Sequence, residues 1–80
     1  MLLTISGKQI RAARALLGWS QYKLAEEAGL SVTPIARFER EEVDTKRGTL
    51  YTLVATLENA GIEFKHEKDG SFGVMLKPSE

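Results

Sequence analysis

Cysteine is absent from the 80 residues, and histidine occurs once, as His66. Neither a disulfide nor a zinc staple can therefore hold the chain, because one imidazole does not complete a coordination sphere. Charge of one sign is also lacking: the formal net charge is zero, which argues against a general nucleic-acid coat. There is no long apolar run. The N-terminal stretch, residues 1–5, is too short to span a bilayer and lacks the basic lead-in of a secretory signal. Such a chain is expected in the cytoplasm, with no membrane partner. No nucleophile–base pair, phosphate-cradling glycine loop or metal cluster is legible, so no enzyme, cofactor or metal is expected. A chain this short holds one domain, whose core contributes only about a few kcal/mol. That leaves dimerisation as a further source of stability.

What is present is unevenly spread. Residues 1–40 carry six bases (Lys8, Arg11, Arg14, Lys23, Arg37, Arg40) against three acids (Glu26, Glu27, Glu39), whereas residues 41–80 carry five bases and eight acids. The positive excess lies in the half that holds the most regular helical pattern.

Ser6-Gly7-Lys8-Gln9 has the form of a capping box. Ile10, Ala13, Leu16 and Leu17 then recur at helical spacing until Gly18 stops the helix. Ser20 caps a second helix with Leu24, Ala25 and Ala28 inside, ended by Gly29. Ser31 caps a third, on which Ile35 and Phe38 point the same way. Helices this short are unstable alone, so they must pack on one another. Residues 41–48 read as a polar loop. Thr49 is expected to cap a fourth helix with Leu50, Leu53, Val54 and Leu57 as its stripe, and Gly61 to end it.

Beyond residue 61 the period changes from helical to alternating. Ile62, Phe64 and His66 interleave with Glu63, Lys65 and Glu67; Phe72, Val74 and Leu76 interleave with Gly73, Met75 and Lys77. A three-residue loop, Lys68-Asp69-Gly70, pairs Phe64 with Val74 and Ile62 with Leu76 and gathers the apolar residues on one face; a two-residue Asp69-Gly70 turn scatters them. The first register is expected. Residues 1–5 are compatible with a further short strand. The fold predicted is mainly α with a C-terminal β-hairpin: four helices over residues 6–61 and two antiparallel strands over 62–77, in one domain spanning 1–80.

Three short helices with a glycine turn between the second and third define a helix-turn-helix. Ala25 is small where helix three crosses, Gly29 permits positive φ, and Leu30 plugs the angle between helices. The spacing Gln21-x3-Ala25-x3-Gly29-Leu30-Ser31-x3-Ile35-x2-Phe38-Glu39, preceded by Arg14-Ala15-Leu16-Leu17-Gly18-Trp19-Ser20-Gln21, resembles the phage-repressor-like helix-turn-helix family (the Xre type). The likeness covers residues 7 to about 40. It implies that the third helix, residues 31–40, lies in the major groove of double-stranded DNA. With Ile35 and Phe38 inward, the outward positions Val32, Thr33, Ala36, Arg37 and Arg40 are the implied base readers, with Arg37 the candidate for a bidentate guanine contact. Ser20, Gln21 and Lys23 at the start of helix two, with Lys46 and Arg47 in the loop before helix four, are the implied phosphate contacts. Arg14 and Glu39 match a family ion pair joining helices one and three. Pro34 departs from the pattern: it biases Thr33 away from helical angles and removes an N–H that Ser31 could cap.

Duller readings stand beside these. Arginines on an outer helix face are usually solvated, and Lys46 and Arg47 have Glu41, Glu42 and Asp44 for neighbours, acids that would also repel phosphate. Trp19 reads as a wedge between helices and His66 as a partly buried strand residue. The functional expectation is a sequence-specific DNA-binding transcriptional regulator, dimeric through the hairpin, although the hairpin surface could instead pack on helix four. Two alternatives stay open: an antitoxin-like protein that also binds a protein partner, and a helix-turn-helix used only for protein contacts.

Overall fold

Ser6 and Gln9 cap each other's backbone. The Gln9 N–H donates to Ser6 Oγ at 3.4 Å, and the Ser6 N–H donates to Gln9 Oε1 at 3.0 Å. In the computed structural model, which describes residues 5–42 and 46–78, this box opens α1 (Gly7–Leu17). There follow α2 (Gln21–Ala28), α3 (Val32–Glu39), α4 (Arg47–Asn59), β1 (Ile62–His66) and β2 (Phe72–Leu76). The chain is mainly helical with a C-terminal antiparallel hairpin, as its periodicities predict. The strand considered for residues 1–5 lies outside the described residues except for Ile5, which is buried. No helix among the described residues is long and apolar enough to cross a membrane.

Ile10 and Ala13 of α1, Leu24 and Ala25 of α2, Ile35 of α3, and Leu50, Leu53, Val54 and Leu57 of α4 meet in one core, closed by Ile5 and Ile62. Leu16 does not join them. It is 48 % exposed while Leu17 packs partly inward, because a stripe through Ile10 and Ala13 continues one residue beyond Leu16 on a 3.6-residue wheel.

Helix four also departs from expectation. It begins at Arg47, not after Thr49, and Lys46 in an extended conformation is its N-cap without a side-chain cap bond. A lysine cannot accept a hydrogen bond, so the start carries no sequence signal. Arg47 is thus the first residue of the helix rather than part of a loop.

The hairpin pairs Ile62 with Leu76, Phe64 with Val74 and His66 with Phe72, the register that apolar patterning selects. Its turn closes through Gly70 N–H to the Glu67 carbonyl at 3.0 Å and Glu67 N–H to the Ser71 carbonyl at 2.9 Å. Gly70 has φ +93, a conformation open to glycine and strained for other residues. The strands pack on α1 as well as α4, β2 chiefly along α1. Gln9 adds a cross-link, its Nε2 donating to the Gly73 carbonyl at 3.0 Å. Burial fades along the hairpin: Ile62 is buried, Phe64 and Val74 are half-buried, and Phe72 and His66 are exposed. His66 is therefore not the partly buried residue expected. It sits near the turn, with its ring 6.2 Å from that of Phe72.

Candidate nucleic-acid interface

Helices α2 and α3 are joined by Gly29, at φ +69. The chain reverses there as the Leu30 N–H returns to the Ala25 carbonyl at 2.9 Å, and the Leu30 side chain packs against the core. Ala25 is buried and small, so α3 can cross α2 closely. Ser20 caps α2 by accepting the Lys23 N–H at 2.9 Å, whereas Ser31 makes no side-chain cap bond to α3. The third residue of α3 is Pro34, which has no N–H to offer. The helix still starts at Val32, with Thr33 inside it.

Beneath α3 lies a polar cluster centred on Glu39, whose side chain is 3 % exposed. Arg14 grips it with both arms of its fork, Nε to Oε2 at 2.6 Å and Nη2 to Oε1 at 2.7 Å. The same guanidinium donates to the Trp19 carbonyl at 2.8 Å, and Gln21 Nε2 donates to Glu39 Oε1 at 3.0 Å. Arg11 reaches the Glu39 carbonyl at 3.1 Å. The bond to Glu39 raises the Arg14 pKa against the opposing effect of burial, so the charge is secure. The ion pair expected between Arg14 and Glu39 is present, and it ties α1, the start of α2 and the end of α3 together. The Gln21 side chain is consumed in it. The first N–H groups of α2, Gln21 among them, are donors of the kind that every helix start presents.

On the outer side of α3, Thr33, Arg37 and Arg40 are exposed and Ala36 is half-buried. Val32, like Ala36, is half-buried, and it packs partly against the core. Among the expected phosphate contacts, Lys23 pairs with Glu27 at 2.9 Å, which raises its pKa. Lys46 and Arg47 lie exposed at the start of α4.

The structure also gives a different setting to Glu42, which the sequence offers only as one of the acids beside Lys46 and Arg47. Glu42 stands 3.0 Å from Arg40 Nε and 3.7 Å from Arg37 Nε. Its carboxyl is held below its ordinary pKa, first by the hydrogen bond from Arg40 and further by the charges of Arg40 and Arg37, while Arg40 is raised in turn. No sequence rule pairs a helix with an acid three residues beyond its end, and the only signal was the bare presence of acids just after it. Tyr22, beside Gln21, is 73 % exposed and was likewise not anticipated.

The profile of the helix-turn-helix family matches residues 10–60, more than half of the chain, from within α1 through the end of α4. No curated protein matches the sequence. The matched segment contains the α2–turn–α3 unit, the Glu39 cluster and the exposed face of α3. The chain belongs to the helix-turn-helix family of phage-repressor (Xre) type, a family of DNA-binding regulators.

Proposed function

We propose that this protein is a sequence-specific transcriptional regulator that lays α3 in the major groove and acts as a homodimer. The observation that carries the reading is the outer face of α3. Thr33, Arg37 and Arg40 stand exposed there on a helix whose underside is fixed by Arg14, Glu39 and Gln21. A side chain reads a base edge only if its backbone is held in place, and the buried fork under α3 supplies that. Arg37 lies one turn beyond Thr33 on the same face. As a bidentate ligand of guanine it contributes about 1–3 kcal/mol of discrimination, with Thr33 and Ala36 set for contacts such as a thymine methyl. Lys46, Arg47 and the start of α2, with Ser20 and Lys23, hold phosphates and fix the register.

A module of this size buries only about 600–1,000 Å² on DNA, so useful specificity calls for two copies. The hairpin is the candidate contact between them. On one face of β2 Phe72 and Leu76 are 47 % and 39 % exposed, and on the other Met75 is 45 % exposed; an apolar cleft of about 210 Å³ opens between α1 and β2, lined by Lys8, Gln9, Ala12, Phe72 and Gly73. The same exposed residues favour the second reading, in which an antitoxin-like chain also binds a different protein. Selection of duplexes from a random pool, with the mass of the free protein measured in parallel, tests both. The regulator reading expects a two-fold motif with half-sites about 34 Å apart and a dimer mass. A monomer that selects no sequence contradicts it.

A further inference from the structure

The C-terminus of α3 is stopped without a glycine. Glu41 takes the left-handed conformation, at φ +55, which a side chain disfavours. Its N–H donates to the Phe38 carbonyl at 2.9 Å, and the Glu42 N–H donates to the Arg37 carbonyl at 3.2 Å. This double closure ends a helix around a left-handed residue and folds the chain back over the last turn. The Glu42 carboxylate thereby meets two guanidinium groups of α3. Oε2 accepts from Arg40 Nε at 3.0 Å and Oε1 from Arg40 Nη2 at 3.3 Å, and Oε1 stands 3.7 Å from Arg37 Nε. The three side chains are 58 % (Arg40), 49 % (Arg37) and 48 % (Glu42) exposed. They form one surface cluster at the end of the exposed face.

We infer that Glu42 is a specificity-determining residue, an internal anion beside Arg37 and Arg40 that weakens their hold on phosphate alone more than their hold on a fitting DNA site. This rests on the reading of α3 as the base-reading helix. Two arginines would leave that end of the helix doubly positive, and Glu42 cancels one of the charges. Random-sequence DNA attracts a protein almost wholly through its phosphates, so the cancelled charge is felt there in full. A fitting guanine offers two acceptors in fixed geometry. A guanidinium has five N–H donors, enough to hold guanine on one edge and a carboxylate on another. The specific complex therefore tolerates Glu42, and the non-specific one is weakened by it. The neighbouring acid provides a control: Glu41 pairs with Lys8 of α1 at 3.4 Å, away from the arginines.

The test uses the full chain as wild type, Glu42→Gln and Glu41→Gln. Each is titrated over a range of salt against a labelled random-sequence duplex and against a duplex that the wild type selects from a random pool. Glu42→Gln is expected to tighten binding to the random duplex about three- to ten-fold and to steepen its salt slope by about one. The selected duplex gains less, so the ratio of the two affinities falls. Glu41→Gln leaves that ratio close to the wild-type value. Identical behaviour of wild type and Glu42→Gln overturns the inference while leaving the DNA reading intact. An equal effect of Glu41→Gln overturns it too, by making the charge general rather than local. Failure of all three proteins to bind any duplex removes the DNA reading and this inference together.

Discussion

Glu39 and Gly7 show how single residues set the position of α3. The Glu39 carboxylate is buried and shared between Arg14 and Gln21, and no buried side-chain polar atom among the described residues lacks a partner. Removing one side of such a pair strands the other charge. Glu39→Ala is therefore expected to lower the unfolding free energy by about 3–5 kcal/mol, a large share of the total for a domain of this size. Replacing Arg14 and Glu39 together by apolar residues should recover most of it. Urea unfolding of the single and double variants measures both, and a small loss in the single variant contradicts the account. Gly7 acts through space. A Cβ there would overlap the Phe38 carbonyl oxygen and stand 2.9 Å from Glu39 Cα. Alanine has the better helix propensity by about 1 kcal/mol, yet the obstacle is backbone and cannot swing aside. Gly7→Ala is expected to destabilise by about 1–3 kcal/mol, and a gain in melting temperature would contradict that. The Arg14–Glu39 pair was legible through its resemblance to a family motif. The closeness of Gly7 to α3 was not, because in sequence a glycine at a helix start looks like a local choice.

Among the elements, the three serine N-caps differ in a way that measurement can separate. Ser6 and Ser20 each accept a backbone N–H three residues on, while Ser31 faces Pro34. Ser6→Ala and Ser20→Ala should each cost about 0.5–2 kcal/mol, and Ser31→Ala much less. Equal losses at all three would show that Ser31 has another role. Helices one and two were readable because serine caps and glycine stops mark their ends, and helix three because Ser31 precedes it and Ile35 and Phe38 share a face. Helix four was misplaced at its start because Lys46 leaves no such mark. The hairpin register was readable because alternation admits only one pairing that puts Phe64 and Val74 on the same face as Ile62. The gradient of burial along it was not, since strand alternation does not say where the supporting helices stop. On α3 the outward positions differ in exposure, with Thr33, Arg37 and Arg40 exposed and Val32 and Ala36 half-buried, a difference that the helical wheel alone does not give.

On the scale of the whole molecule, the exposed face of α3 and the exposed apolar residues of β2 lie on different elements, one for each of the two contacts proposed. Phe72 is about half-exposed, so Phe72→Glu should change folding stability little. In the dimer reading it yields a monomer in sedimentation equilibrium, with weaker binding to a two-fold site. A wild-type protein that is already monomeric removes that reading. It does not touch the contact of α3 with DNA, which is the central claim. The most direct test of that claim compares Arg37→Ala and Lys46→Ala on the selected site and on its single-base variants. The account predicts that Arg37→Ala abolishes the preference at one base pair, worth about 1–3 kcal/mol, and leaves the others in place. It predicts that Lys46→Ala weakens every variant alike and lowers the salt slope by about one. If Arg37→Ala instead weakens all sequences equally, or changes nothing, α3 is not the helix that reads the bases.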